Sequence, residues 1–310
     1  MTSVSVASGV VGAGGAGRVD GGGLGAGGAG RGWGDRGGWR RGLLGGMNKF
    51  WAVMQVTLRS RLRYLGDFWS AAIFILVVMY VFVELWRVTY AQGGDASGLV
   101  AGFSLTQMIW YLVATETIIL SMIPIHRHIE NEIKSGDVAI RLNKPYSFLG
   151  WHAAVFLGEG ALKALVLASA GGAIAFAAVG FPSFDATQVP ALIVSFVLTA
   201  LLNFCWGAMI GLLAFWTEDV TGFFFVLDRL KWLMGGFLMP IPLFPLWMQE
   251  AVAWSPFPLM IYEPARLAID FSWTRWLDVS GRQFGLLLLL GLMAWGMYRA
   301  GVRRLDVNGG

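Results

Sequence analysis

The chain has 310 residues, 56% of them hydrophobic and 14% charged, with a formal net charge of +4 at pH 7. A soluble domain carries about a quarter charged residues, so this composition belongs to an integral membrane protein. The basic residues are scattered beside apolar runs without a basic-aromatic module, which argues against a nucleic-acid partner. A single cysteine, Cys205, excludes an intrachain disulfide, and three histidines are too few for a standard zinc cluster.

Residues 1–46 are glycine-rich and low in complexity, so they are expected to be a disordered extension. Gly12 to Gly17 and Gly25 to Gly30 both spell GxGxxG. Neither follows a strand or opens a helix with an acidic partner, so neither reads as a nucleotide site. Ordinary composition begins at Met47, and a translation start there would account for the change. From Met47 to Gly66 an amphipathic helix is predicted, with Phe50, Met54, Leu58, Leu62 and Leu65 as its apolar stripe and Lys49, Arg59, Arg61 and Arg63 elsewhere. Basic residues on such a helix suit an anionic membrane surface.

Crossing a bilayer takes about 20 apolar residues. Six spans are predicted on that measure, at 68–86, 99–124, 152–179, 190–216, 220–242 and 283–300. The fifth carries Asp228, Arg229 and Lys231 in its first half and Gly235-Gly236, Pro240 and Pro242 near its end, which marks a break there. From Phe244 to Asp278 the chain is rich in proline and tryptophan, and its apolar pieces are too short to span. Short helices at or dipping into the outer interface fit that composition. The fold class is therefore an all-α membrane protein of six spans with an N-terminal interfacial helix.

One long polar segment separates the second and third spans, Ile125 to Trp151. Ile125, Ile129 and Ile133 recur at four-residue spacing along one side of a short helix, with His126, Arg127, Glu130, Asn131 and Lys134 on the others. Ser135-Gly136-Asp137 is its stop, since glycine takes the left-handed conformation, and Asn143-Lys144-Pro145 makes a turn. Such an element either rests on lipid headgroups or docks a soluble partner. Most lysines and arginines fall in the N-terminal arm, this loop, the start of the fifth span and the C-terminal tail. The exceptions are Arg87, Arg266, Arg275, Arg282 and the intramembrane Lys163. By the positive-inside rule both termini, and this segment, face the cytoplasm.

The run Ile129 to Phe148, IENEIKSGDVAIRLNKPYSF, resembles the loop between the second and third spans of ABC exporter permeases of the ABC-2 type, and is nearest a bacterial subgroup sharing E-I-K-S-G-D, R-L and P-Y-S. Ala214 to Asp219, AFWTED, and Arg303 to Gly310, RRLDVNGG, are similar to that subgroup as well. The resemblance covers roughly 47–310, the expected permease domain. It implies a cytoplasmic coupling helix and a re-entrant helical pair before the last span. It further implies a second permease, identical or related, a pair of cytosolic ABC ATPases carrying ATP and magnesium, and residence in a bacterial plasma membrane. His126, Arg127, Glu130, Glu132, Lys134, Gly136 and Arg141 are then the candidates for coupling to the ATPase.

No GxxxxGK[ST] motif occurs, and no catalytic constellation can be argued, so the chain itself is read as a non-enzymatic transport subunit that binds no cofactor. Ionisable groups inside spans are costly and usually face protein or water. Glu159 and Lys163, four apart, are expected to be an ion pair, structural in preference to transporting. Ser104, Gln107, Tyr111, Thr115 and Glu116 form a polar stripe in the second span, either a helix–helix contact or a wall of a translocation path. Asp228, Arg229 and Lys231 are expected to tie the fifth span to the cytoplasmic side. The alternative function is an ion-coupled secondary transporter or channel, which Glu116 and Glu159–Lys163 would suit. No inverted internal repeat supports it.

Overall fold

The computed structural model describes residues 36–61, 65–93, 98–142, 144, 146–182, 185–217 and 219–308. Two compact units divide the chain between Arg41 and Gly42, and Arg36–Arg41, the described part of the first, opens a helix. The described residues form helices and loops with no strand. In chain order they are α1 (Arg36–Arg61), α2 (Leu65–Gly93), α3 (Leu105–Leu120), α4 (Ile125–Lys134), α5 (Asp137–Leu142) and α6 (Phe148–Val179). There follow α7 (Val189–Leu212), α8 (Thr221–Met234), α9 (Leu246–Ala253), α10 (Tyr262–Ile269) and α11 (Trp273–Asn308). Helix α1 starts upstream of Met47, and the expectation of disorder for residues 1–35 lies outside the described residues.

Among the described residues five stretches are long and apolar enough to cross a membrane: Ala72–Gly93, Leu105–Lys134, Phe148–Val179, Ala186–Phe215 and Trp273–Arg304. The second joins α3 and α4 across a break at Ser121–Pro124, where Pro124, lacking a backbone N–H, cannot continue α3 but opens α4. The fifth expected span, 220–242, is not one of these stretches. Helix α8 has 14 residues, about 21 Å at the α-helical rise, against a hydrocarbon core of about 30 Å. Two glycines end it. A Cβ at Gly235 would lie 2.6 Å from Ile261 Cδ1, and Gly236 sits at φ 73°. Pro240 and Pro242 then bar a restart, so turn chemistry overrides the apolar composition.

The packing gives each element a direction. Helices α3 and α6 run antiparallel: Trp110 Nε1 donates to Gly180 O at 2.9 Å near one end, and Gly160 approaches Ser121 O at the other. Helices α7 and α11 run parallel. Trp276 Nε1 donates to Ala191 O at 2.8 Å, Gln283 Nε2 to Thr199 Oγ1 at 2.9 Å, and Gly301 lies under the Phe215 ring. Because these helices are parallel, residues 216–272 must carry the chain from the end of α7 back to the level of its start. That traverse is built from α8, the Gly235–Pro245 turn, α9, α10 and the segments between them. The proline- and tryptophan-rich stretch is thus short helices, as its composition suggests, except that Trp273 and Trp276 belong to α11.

Two large apolar clusters, with a small third around Leu192, Leu267 and Val279, hold the second unit together. One gathers Ile125, Ile129 and Ile133 of α4, Phe156 of α6, Leu202, Ala208 and Leu212 of α7, and Leu290 and Ala294 of α11. The other joins Ile75 and Met79 of α2, Met108 to Val113 of α3, Leu167 and Ala175 of α6, and Tyr262 and Ala265 of α10. Phe50 of α1 packs on the first, and the Met54 backbone of α1 lies against Gly158 of α6, close enough that a Cβ there would meet Met54 O at 3.1 Å.

Candidate functional site

The polar stretch after α3 folds as the spacing of its isoleucines predicts, and their burial shows what they touch. Ile125, Ile129 and Ile133 are all buried, and α4 lies lengthwise along the last third of α7. Two glycines make the close approach possible. A Cβ at Gly207 would come within 2.6 Å of Ile125 Cγ2, and one at Gly211 within 2.8 Å of His126 O. Gly207 and Gly211 are spaced as in GxxxG, the small-residue pattern that lets helix backbones approach. The isoleucine stripe therefore rests on α7 and not on lipid headgroups.

The polar side chains of α4 reach its neighbours in the fold. Glu130 is buried; its Oε1 lies 2.6 Å from Lys134 Nζ and accepts from Val220 N, just before α8, at 3.3 Å. Glu132 Oε1 accepts from Arg141 of α5 at 2.7 Å, while His152 Nε2 of α6 stands 3.3 Å from its Oε2. The Arg141 guanidinium in turn lies 3.8 Å over the Trp151 ring. His126 is 2% exposed and stacks on Phe224 of α8 at 3.4 Å between ring centroids. Gly136 takes φ 77°, so the left-handed stop is realised, and the chain restarts at once as α5, a helix that the sequence reading did not anticipate. Arg127, His128, Asn131 and Lys134 form the exposed edge of α4, with Ile140 of α5 exposed beside it. Asp219, which accepts from Thr221 N at 2.9 Å, leads into α8; that backbone N–H, followed by the Thr221 hydroxyl, holds its carboxyl below the usual aspartate range.

Seven residues were expected to engage an ATPase. The structure sets His126 and Glu130 against the start of α8, and Glu132 with Arg141 between α4, α5 and α6. Arg127 and Lys134 stand on the exposed edge, and Gly136 ends the helix. His152, Trp151 and Phe224 complete these contacts and escaped sequence reasoning: His152 and Phe224 lie in runs read as spans, and Trp151 closes the polar segment with no spacing signal of its own. The GxxxG spacing at Gly207 and Gly211 was the one local signal for the α7 seat.

The stripe in α3 is built into the subunit. Ser104 caps α3 and exchanges hydrogen bonds with Gln107, its hydroxyl accepting from Gln107 N at 3.2 Å and Gln107 Oε1 accepting from Ser104 N at 3.0 Å. Tyr111 donates to Gly236 O across to the broken stretch after α8, Thr115 donates to Leu112 O at 3.2 Å, and Glu116 is buried. Glu159 and Lys163 meet in α6 with 3.0 Å between Oε1 and Nζ. Asp228 and Lys231 of α8, both buried, pair at 2.7 Å, and Arg229 instead lies 4.1 Å over the Trp232 ring.

Parallel and antiparallel apolar helices with a polar helix clamped at one end define a multi-pass membrane protein, not a soluble domain. Residues 74–309 match the family model described as ABC-2 family transporter protein, and the chain belongs to that family. It is accordingly a membrane permease subunit of ABC transporters, and membership implies association with ABC ATPase partners. No similar curated protein and no similar solved structure is found.

Proposed function

We propose that this permease is the membrane half of an ATP-driven exporter that moves substrate outward by alternating access. Two permease subunits, identical or related, would pair above two cytosolic ATPases that carry ATP and magnesium, in a bacterial plasma membrane with both termini cytoplasmic. The single observation that carries the reading is the seat of α4. A ten-residue helix lies along α7, is bonded through Glu130 to the start of α8 and through Glu132 to α5, and has His152 of α6 3.3 Å from Glu132. Coupling between distant sites needs an element whose displacement is passed on and not absorbed. A push on the exposed edge of α4–α5 would move α7 and α8 together.

On this reading the coupling residues divide into two groups. Arg127, Lys134 and the neighbouring Ile140 would meet the ATPase, whereas His126, Glu130, Glu132 and Arg141 would hold the lever to the bundle. The stretch from α8 to α10 would be a crossing made of one short helix and re-entrant pieces, and α1 would lie at the inner interface. The test is purification of the full chain in mild detergent with the P-loop ATPase that it retains, followed by transport in vesicles. Ile140→Asp with Arg127→Glu should release the ATPase while leaving the melting temperature of the permease unchanged. Transport that survives without nucleotide and follows an ion gradient would overturn the reading in favour of an ion-coupled carrier, for which buried Glu116 is the natural candidate.

A further inference from the structure

Beside α4 lies a cavity of about 270 Å³ walled by α3, α4, α6, α7 and α8. We infer that it is a binding site for the head of a zwitterionic phospholipid, one carrying a phosphate and a primary ammonium. Three polar atoms of residues lining it, His126 Nε2, Asn203 Oδ1 and Trp206 Nε1, are buried without a hydrogen-bond partner in the chain. Buried polar atoms are normally paired, and an unpaired one costs about 1–3 kcal/mol. Three around one cavity therefore mark a place for a polar guest.

The chemistry of the lining selects the guest. Asn203 is 3% exposed and donates both amide hydrogens, to Thr199 O at 3.0 Å and Met260 O at 3.2 Å, so its oxygen is left to accept. Trp206 can only donate. Lys231 and Asp228 bring opposite charges to the same cavity, and Arg127 stands on its lining at the exposed edge of α4. An ammonium matches Asn203 Oδ1 and Asp228, while a phosphate matches Trp206 Nε1 and Lys231. A purely anionic head would leave the acceptors unmatched, and a trimethylammonium has no hydrogen to donate to them. The rest of the lining is apolar, with Ile119, Met122 and Phe156. The cavity sits where the chain breaks between α3 and α4, and α8 exposes Phe225, Val226 and Leu230. Acyl chains thus have apolar surface to follow once the head is seated. A head held there would bridge the first turn of α4 to α8, a link independent of whether an ATPase drives the protein.

The test is native mass spectrometry of the full chain in detergent, titrated with phosphatidylethanolamine, phosphatidylglycerol and phosphatidylcholine of identical acyl chains, and with phosphoethanolamine alone. Phosphatidylethanolamine should bind at least tenfold more tightly than the other two lipids, roughly the low end of what one hydrogen bond to a charged group is worth. Trp206→Phe, which keeps the ring and removes only the N–H, should weaken it about fivefold, the worth of one hydrogen bond. Asp228→Asn should reduce the preference over phosphatidylglycerol, and Trp206→Phe with an unaltered melting temperature keeps the test decisive if Asp228→Asn misfolds. Equal retention of all three lipids, or wild-type binding by Trp206→Phe, would overturn the assignment of the head to this cavity. Equal affinity for free phosphoethanolamine would make it a site for a soluble ligand and overturn the lipid assignment.

Discussion

Replacing Gly211 by alanine tests the seat of α4 directly. The added Cβ would stand 2.8 Å from His126 O, 2.9 Å from Ile129 Cβ and 3.0 Å from His126 Cα, where ordinary contact begins at 3.4 Å. Two of these three atoms are backbone and the third is attached to it, so no side-chain rotation relieves the clash. Helix α4 must instead move off α7 by about 0.6 Å, the difference between 3.4 and 2.8 Å. Overpacking of this kind costs about 1–3 kcal/mol. Helix propensity works the other way, favouring alanine over glycine by about 1 kcal/mol. Gly285→Ala in α11 has that gain without the clash, because nothing lies within 4 Å of its added Cβ. The difference between the two variants isolates the contact: Gly211→Ala should be less stable than Gly285→Ala by about 1–3 kcal/mol. Thermal melting in detergent measures it, and transport per ATP hydrolysed shows whether the displaced helix still couples. If Gly211→Ala melts with Gly285→Ala, α4 does not bear on α7 as described, and the lever argument fails with it.

Four further outcomes are expected. Glu130→Leu leaves the buried Val220 N–H without an acceptor and should cost about 1–3 kcal/mol in melting experiments, whereas Glu130→Gln keeps an acceptor and should cost less. In a double-mutant cycle, the double change Glu159→Gln with Lys163→Met should destabilise less than the sum of the two single changes, because each single change takes away the counter-charge of the other; additive melting shifts would show that the two do not interact. Tyr111→Phe removes the bond to Gly236 O and should cost about 0.5–1.5 kcal/mol, with proteolysis of the stretch after α8 rising in step. Gly136→Val forces a β-branched residue to φ 77°, and should lower ATPase retention through a misplaced α5 while lipid binding in the α4–α8 cavity is unchanged.

Several features were legible because their causes are local. The spacing of Ile125, Ile129 and Ile133 dictates a helix with one apolar edge, Gly136 its left-handed stop, and a separation of four the meeting of Glu159 with Lys163. Apolar runs longer than twenty residues can satisfy their backbone in a bilayer only as helices. The family resemblance also rested on contiguous residues, and the match over 74–309 agrees with it. Element ends were less legible. Helix α11 runs from Trp273, well before the apolar run at 283, because its first turns pack on α7 through Trp276 and Gln283.

What the sequence by itself determined, then, is the solvent this protein needs, its helical class, and the polar helix between its second and third spans. These follow from composition, period and turn residues, which act over a few positions. Which surface that helix uses was decided only by the tertiary structure. Burial of the isoleucines against Gly207 and Gly211 turns Glu130 toward Val220 and Glu132 toward Arg141 and His152, partners 9 to 90 residues away. The same holds for the fifth apolar run. Its composition is that of a span, but Gly235 ends the helix against Ile261, and the return to the level where α7 starts is made by several short pieces far along the chain. Hydrophobicity selects a medium without direction, whereas close packing and hydrogen bonds choose partners, and those partners are set by the fold as a whole.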